Sequence, residues 1–189
     1  ENMALCCDFL AWRLALAAEM KPHCSLERRR TELLRHHNAA WLNIWSGISA
    51  YYYALLGESE KIPPIFGEHR LSDINMLAPG RPMMLLIENQ VYLAQGNYAK
   101  VIGRSEGQLS VCEGMHYGLV ALHIRIQTAA AYEAMGKWQE AEQMLTQAIL
   151  EAETDYLVLP FVENYRYLKK LLVRCQKQES LFVRYLIQM

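Results

Sequence analysis

Five short stretches of this chain carry residue types that could do chemistry. GRSEG at 103–107 satisfies the nucleophile-elbow pattern G-x-S-x-G, which would expose Ser105 on a strained turn between a strand and a helix. The preceding residues, NYAKVI, read as helix, so the strand is missing and Ser105 reads as a small residue on a helix face. Gly136–Lys137 is the only Gly-Lys pair, but a phosphate-binding loop needs a glycine where Ala131 stands and a hydroxyl where Trp138 stands. His36 and His37 are adjacent, so on a helix they point about 100° apart and cannot hold one ion together. Neither H-E-x-x-H nor C-x-x-C occurs, and His23–Cys24 beside Pro22 is a loop pair, so no metal site is expected. The run RRRTELLRHH (Arg28, Arg29, Arg30, Arg35) could touch phosphates, but Glu27 and Glu32 interleave with it, which gives a solvated helix face. No catalytic residue emerges, and the expectation is a protein that is not an enzyme.

Composition narrows the class further. The formal charge of −1 over 189 residues gives no global drive towards nucleic acid or anionic membranes. No run of about 18 apolar residues is present, so no membrane span is expected, and ENMALCCDF lacks the basic start of a signal peptide. The five cysteines (Cys6, Cys7, Cys24, Cys112, Cys175) are odd in number and lack framework spacing, which fits small buried thiols in a reducing cytoplasm.

The elements that must position any site are helices. The 3.6 period runs through 2–20, a segment capped by Ser25, 39–56, 82–95, 98–112, 116–135, 138–153, 160–176 and 178–188. The stretch 59–82 holds Pro63, Pro64, Pro79 and Pro82 and reads as loop. Neither end shows the polar capping unit that a repeat array needs. The expectation is therefore a segment of a longer protein, able to associate with itself through its ends.

A repeat underlies these helices. Tyr53–Gly57, Tyr92–Gly96 and Tyr132–Gly136 recur, each Tyr four residues before its Gly. Aromatics follow at Tyr98 and Trp138, and small residues at Ala141 and Ala148. Glycine gives the tight turn, the aromatic fills the space between paired helices, and alanines admit a close neighbour. Tyr, Gly, an aromatic and Ala at these positions resemble the tetratricopeptide repeat. Residues 122–154 match it well; 82–114 keep Tyr92, Gly96 and Tyr98 but place Val101 and Gln108 at the small positions. The unit after Gly57 departs into the proline-rich stretch, and the one from Val162 keeps only Tyr165, Leu168 and Leu172. The glycine spacing of 39 and 40 exceeds the repeat's usual ~34 residues. The resemblance implies an all-α, tetratricopeptide-like α-solenoid of about four helix pairs forming one domain, 1–189. Its units would be about 39–78, 82–121, 122–161 and 162–189, after leading helices in 1–38.

A narrower resemblance covers most of 38–172. WLNIWSGISAYYYALLGESEKIP, GRPMMLLIENQVYLAQGNYAKVI, AYEAMGKWQEAEQMLTQAI and LPFVENYRYL are similar to the helical-repeat region of MalT-like bacterial transcriptional regulators of the LuxR class. That resemblance implies an ATP-binding module upstream, a helix-turn-helix module downstream that alone contacts DNA, and no cofactor within this segment. The arginine run at 28–35 could then also face the upstream module. The partner implied is a small-molecule inducer or a regulatory protein. In tetratricopeptide solenoids, side chains one to two turns before the tyrosine face a concave groove. Mapped here, these are Tyr51, Leu86, Gln90, His123, Ile126, Glu163, Arg166 and Lys170. The Lys/Asn set that clamps a terminal carboxylate is missing, so a small polar ligand or a partner surface fits better. The alternative is a generic tetratricopeptide scaffold for protein–protein interaction.

Overall fold

The computed structural model describes residues 2–17, 26–35, 39–71, 80–175 and 180–188, and every regular element among them is helical. The elements are α1 (Asn2–Ala17), α2 (Leu26–Arg35), α3 (Ala39–Leu56), α4 (Pro64–Gly67), α5 (Arg81–Ala94), α6 (Tyr98–Gly114), α7 (Gly118–Ala134), α8 (Trp138–Glu153), α9 (Leu159–Glu163), α10 (Tyr165–Cys175) and α11 (Leu181–Gln188). The chain forms two compact units, Glu1–Ala94 and Gln95–Met189, so a division falls inside the stretch 82–121 that the glycine alignment treats as one repeat. His23, Cys24, Ser25, His36, His37 and Pro79 lie outside the described residues.

The first unit is organised around α3, which packs against α1, α2, α4 and α5. A helix touched on several sides must be apolar on several faces, and AAWLNIWSGISAYYYALL is. Leu5, Trp12, Leu33, Trp45 and Ile48 form the core, with Phe9, Trp41, Leu42, Ile44, Tyr52 and Tyr53 packed on it. At Gly47 the side chains of α5 come close: a Cβ there would sit 2.9 Å from Met84 Sδ and 3.3 Å from Ile87 Cδ1. The arginine run is used within this unit. Arg29 pairs with Asp8 of α1 at 2.6 Å and with Glu32 at 2.7 Å, and Arg30 lies 5.8 Å from the Trp45 ring centroid. Within 59–82, read from sequence as loop, a 3-10 turn at Ser59–Lys61 and the short α4 form. Pro64 opens α4 because its missing N–H and fixed φ suit the first helical turn.

In the second unit α7 takes the central place, packed against α6, α8, α9 and α10. Val120–Ile124 and Ile126–Ala131 are buried almost without interruption. The exception is Arg125, whose side chain leaves the interior to bond Glu151 at 2.8 Å. Ala141, Leu145, Ala148, Ile149 and Ala152 give α8 one apolar stripe, with three alanines where neighbouring backbones come close. The expected helix 160–176 is two helices, broken at Asn164. Its buried side chain donates Nδ2 to the Pro160 carbonyl at 3.0 Å, the local bond by which asparagine competes with the helical ladder.

The turns carry the regularity. Gly57, Gly96 and Gly136 have φ of 77°, 74° and 71°, the left-handed conformation that ends a helix. At Gly136 the Gly N–H bonds the Glu133 carbonyl at 3.0 Å and the Lys137 N–H bonds the Tyr132 carbonyl at 3.0 Å, a Schellman cap. The same two-bond pattern closes α6 at His116 (φ 57°) and α8 at Tyr156 (φ 52°). Left-handed caps therefore fall at 96, 116, 136 and 156, every twentieth residue. Gly96 and Gly136 are alternate members of this series, so their spacing of 40 spans two helix-and-turn units, whereas after Gly57 the next left-handed residue is His69 (φ 57°) at the end of α4.

Candidate functional site

Within the second unit, an open groove of about 480 Å³ lies between α8 and the C-terminal end of α10. Gln139, Glu142, Gln143, Thr146 and Gln147 line it from α8, and Arg174 and Cys175 from α10. Helical spacing explains the α8 wall: Gln139, Gln143 and Gln147 stand at i, i+4 and i+8, one stripe flanking the buried Ala141–Leu145–Ala148 stripe.

Arg174 is the charged centre of this groove. Its Nη2 bonds Glu133 at the end of α7, and its Nε lies 3.4 Å from Glu142 Oε1, an ion pair too long for a strong hydrogen bond. The hydrogen bond to Glu133 holds the guanidinium above its ordinary pKa, with Glu142 acting in the same direction. The guanidinium carbon also sits 6.0 Å from the Trp138 ring centroid. Trp138 is 61% exposed. Sequence places this ring between paired helices, but it stands at the surface beside the groove. Cys175 is buried, and that burial, followed by the nearby Glu142 charge, pushes its thiol up to about 11. A neutral buried thiol is a poor nucleophile.

The residues mapped to a concave groove fall in different places. Tyr51 and Gln90 are buried in the first unit, as is Leu86. His123 and Ile126 are buried along α7 of the second. Glu163 is half-buried at the end of α9, while Arg166 and Lys170 are exposed on α10. Arg166, Lys170 and Arg174 share one stripe by their i, i+4 and i+8 spacing, so two of the mapped residues lie along the helix edge that supplies the groove. Tyr51, Leu86, Gln90, His123 and Ile126 are interior residues of their units. Ser105 sits in the middle of α6 with its hydroxyl donating to the Ile102 carbonyl at 2.8 Å, outside any strand–turn–helix context.

The groove's own residues were not singled out from sequence. The available signal was the polar stripe in WQEAEQMLTQ, three glutamines four apart on a helix that carries no Lys or Arg. Among the described residues no group of three metal-ligating side chains comes together. None of their helices is long and apolar enough to cross a membrane. The chain matches no protein-family model, and comparison with curated proteins and with solved structures finds no match either.

Proposed function

We propose that this chain is a non-enzymatic recognition segment, the helical-repeat region of a MalT-like LuxR-class regulator. It binds an inducer or a regulatory protein in the cytoplasm and takes no cofactor itself. ATP and DNA contacts belong to modules on either side. Binding favours one arrangement of the repeats and so biases the state of the parent protein. The observation that carries this reading is the recurrence of left-handed caps at every twentieth residue from Gly96 to Tyr156. Such helix-and-turn repetition builds extended binding surfaces. The regulator identity rests on the sequence resemblance, since function lives in sites and not in folds.

A plain scaffold is the second reading, favoured by the open form of the α8–α10 groove, which suits a protein segment better than an enclosed small molecule. Thermal-shift measurements against sugars, amino acids and nucleotides separate the two, because a ligand specific to the folded state raises the melting temperature. A hit supports sensing; no hit, with a protein retained in pull-downs, supports the scaffold. Tight, salt-sensitive, sequence-specific DNA binding by residues 1–189 contradicts both.

A further inference from the structure

We propose that the outward face of α1 pairs two copies of this chain, helix against helix across a two-fold axis, along the seam Cys7, Leu10, Leu14 and Ala17. The pairing belongs to the first unit and stands apart from whatever the second unit recognises.

Exposure supplies the first argument. The inner face of α1 is anchored in its own unit: Leu5 and Trp12 belong to the core, and Phe9 meets Tyr51 edge-on with ring centroids 5.8 Å apart. On the opposite face Cys6, Cys7, Leu10, Ala11 and Leu14 are exposed, Leu10 and Leu14 each by 51%. A surface helix turns polar groups to water, and one that is apolar all round is a covered helix. The outer helices α2, α6, α8 and α10 follow that rule, with Arg28, Lys100, Gln143 and Lys170 exposed. α1 breaks it, because its exposed face holds only leucine, alanine and cysteine.

Charge supplies the second, and it favours a copy of the same face. A two-fold axis lays a patch on itself, so every charge on it would meet its twin. The charged residues of α1 are Asp8 and Arg13, and both are used within the unit. Asp8 pairs with Arg29 at 2.6 Å, and the Arg13 guanidinium lies 5.3 Å from the Phe9 ring centroid and 5.9 Å from that of Tyr51. No charge is therefore repeated across the axis. A membrane surface is the poorer occupant, since interfacial helices flank their apolar face with several lysines and arginines.

The third argument is spacing. Residues 7, 10, 14 and 17 step by three, four and three, the spacing by which one helix packs along another in a coiled coil. With the two helices parallel or antiparallel, Leu10 and Leu14 form the two middle layers and Cys7 and Ala17 the outer ones. Large side chains thus meet at the centre and small ones at both ends, so the seam is complementary to itself. About three turns of helix cover less than the roughly 1,200 Å² at which stable interfaces begin, which makes this an exchanging dimer and not an obligate one.

The test is sedimentation equilibrium of the intact chain under reducing conditions, from about 1 µM to about 500 µM. The mean mass should climb from one chain towards two, with half-conversion at roughly 10–100 µM. Leu10→Lys should weaken association at least about tenfold, because each buried ammonium lacks a counter-charge, while far-UV circular dichroism stays unchanged. Mixing that variant with Leu10→Glu, or with Leu14→Glu if the helices run antiparallel, should restore the dimer, which a loss of folding would not allow. A single-chain mass at every concentration would overturn the pairing, whether or not the chain then binds phosphatidylcholine vesicles. So would a dimer that persists unchanged in Leu10→Lys, or a failure of both mixtures to associate.

Discussion

Exchanging the residue types at two left-handed caps should move stability in opposite directions. Gly136 has φ of 71°, and a Cβ built on it meets nothing within 4 Å. Gly136→Ala therefore creates no clash, and its cost is the strain of an L-residue in the left-handed region, roughly 1–2 kcal/mol. Alanine also stiffens the unfolded chain, which returns about 0.4–1 kcal/mol, so a net loss of about 1 kcal/mol is expected. His116 is the mirror case. It holds φ of 57° with an exposed side chain, so His116→Gly removes the strain and sacrifices little contact. Greater freedom in the unfolded chain offsets part of the gain, leaving about 0.5 kcal/mol of stabilisation. Tyr156→Gly has the same backbone benefit but loses an edge-on contact with Phe182 at 6.1 Å, worth about 0.5–1.5 kcal/mol, and should come out neutral to destabilising. Urea denaturation should thus rank His116→Gly above the parent, Tyr156→Gly at or below it, and Gly136→Ala lowest of the four. The slope should stay constant, since the folded surface is the same. A Gly136→Ala protein as stable as the parent, or a His116→Gly protein destabilised by about 1 kcal/mol, would refute the left-handed caps and the twenty-residue register built on them.

Gly47→Ala should cost about 1–3 kcal/mol in urea unfolding, because the new methyl meets Met84 Sδ at 2.9 Å; Met84→Ala combined with it should recover part of that, as a double-mutant cycle would reveal. Leu145→Ala should cost about 2–5 kcal/mol, since this side chain is wholly buried in the α8 stripe; a loss below about 1 kcal/mol would contradict that packing. Alkylation followed by peptide mass mapping should label the exposed Cys6 and Cys7 at pH 8 and spare Cys112 and Cys175 until the chain unfolds. The Cys175 thiol is raised from 9.0 to about 11, so the folded state keeps a proton that the unfolded state releases. The contribution of this group is complete below about pH 9 and is lost as pH rises through about 11, so denaturant midpoints should fall across that window, and less so in Cys175→Ser.

Sequence reached the helices with ease and the site with difficulty, and the reasons are physical. Periodicity is strong where one face is buried, so α5 and α8 appear at nearly their observed limits. The central helices α3 and α7 were recognisable too, but nothing in an all-round apolar run says how many neighbours it has. Glycine is legible as a left-handed cap because no other residue takes that conformation so cheaply. His116 and Tyr156 take it at a cost, and their identity gives no sign of it. A fainter mark was present: Glu113, Glu133 and Glu153 each stand three residues before a cap, and each ties its helix end onward, to Arg125, Arg174 and Ser180 respectively. Reading those glutamates together would have halved the period. The break at Asn164 was hidden for a similar reason, because one asparagine in an apolar helix is ordinary until its side chain is seen bonding the Pro160 carbonyl. The buried fate of Gln90 and His123 shows the limit of mapping a groove from a repeat template: a polar residue one or two turns before the tyrosine faces whatever the next helix leaves open, and here those positions are covered. The exposed polar stripe of α8 follows instead from its one-sided apolar face, since the residues opposite Leu145 and Ala148 have water as their neighbour. A binding surface in such a protein is better sought on helices with strong amphipathic contrast, such as α8 and α10, than on the central helices the repeat signature marks most clearly.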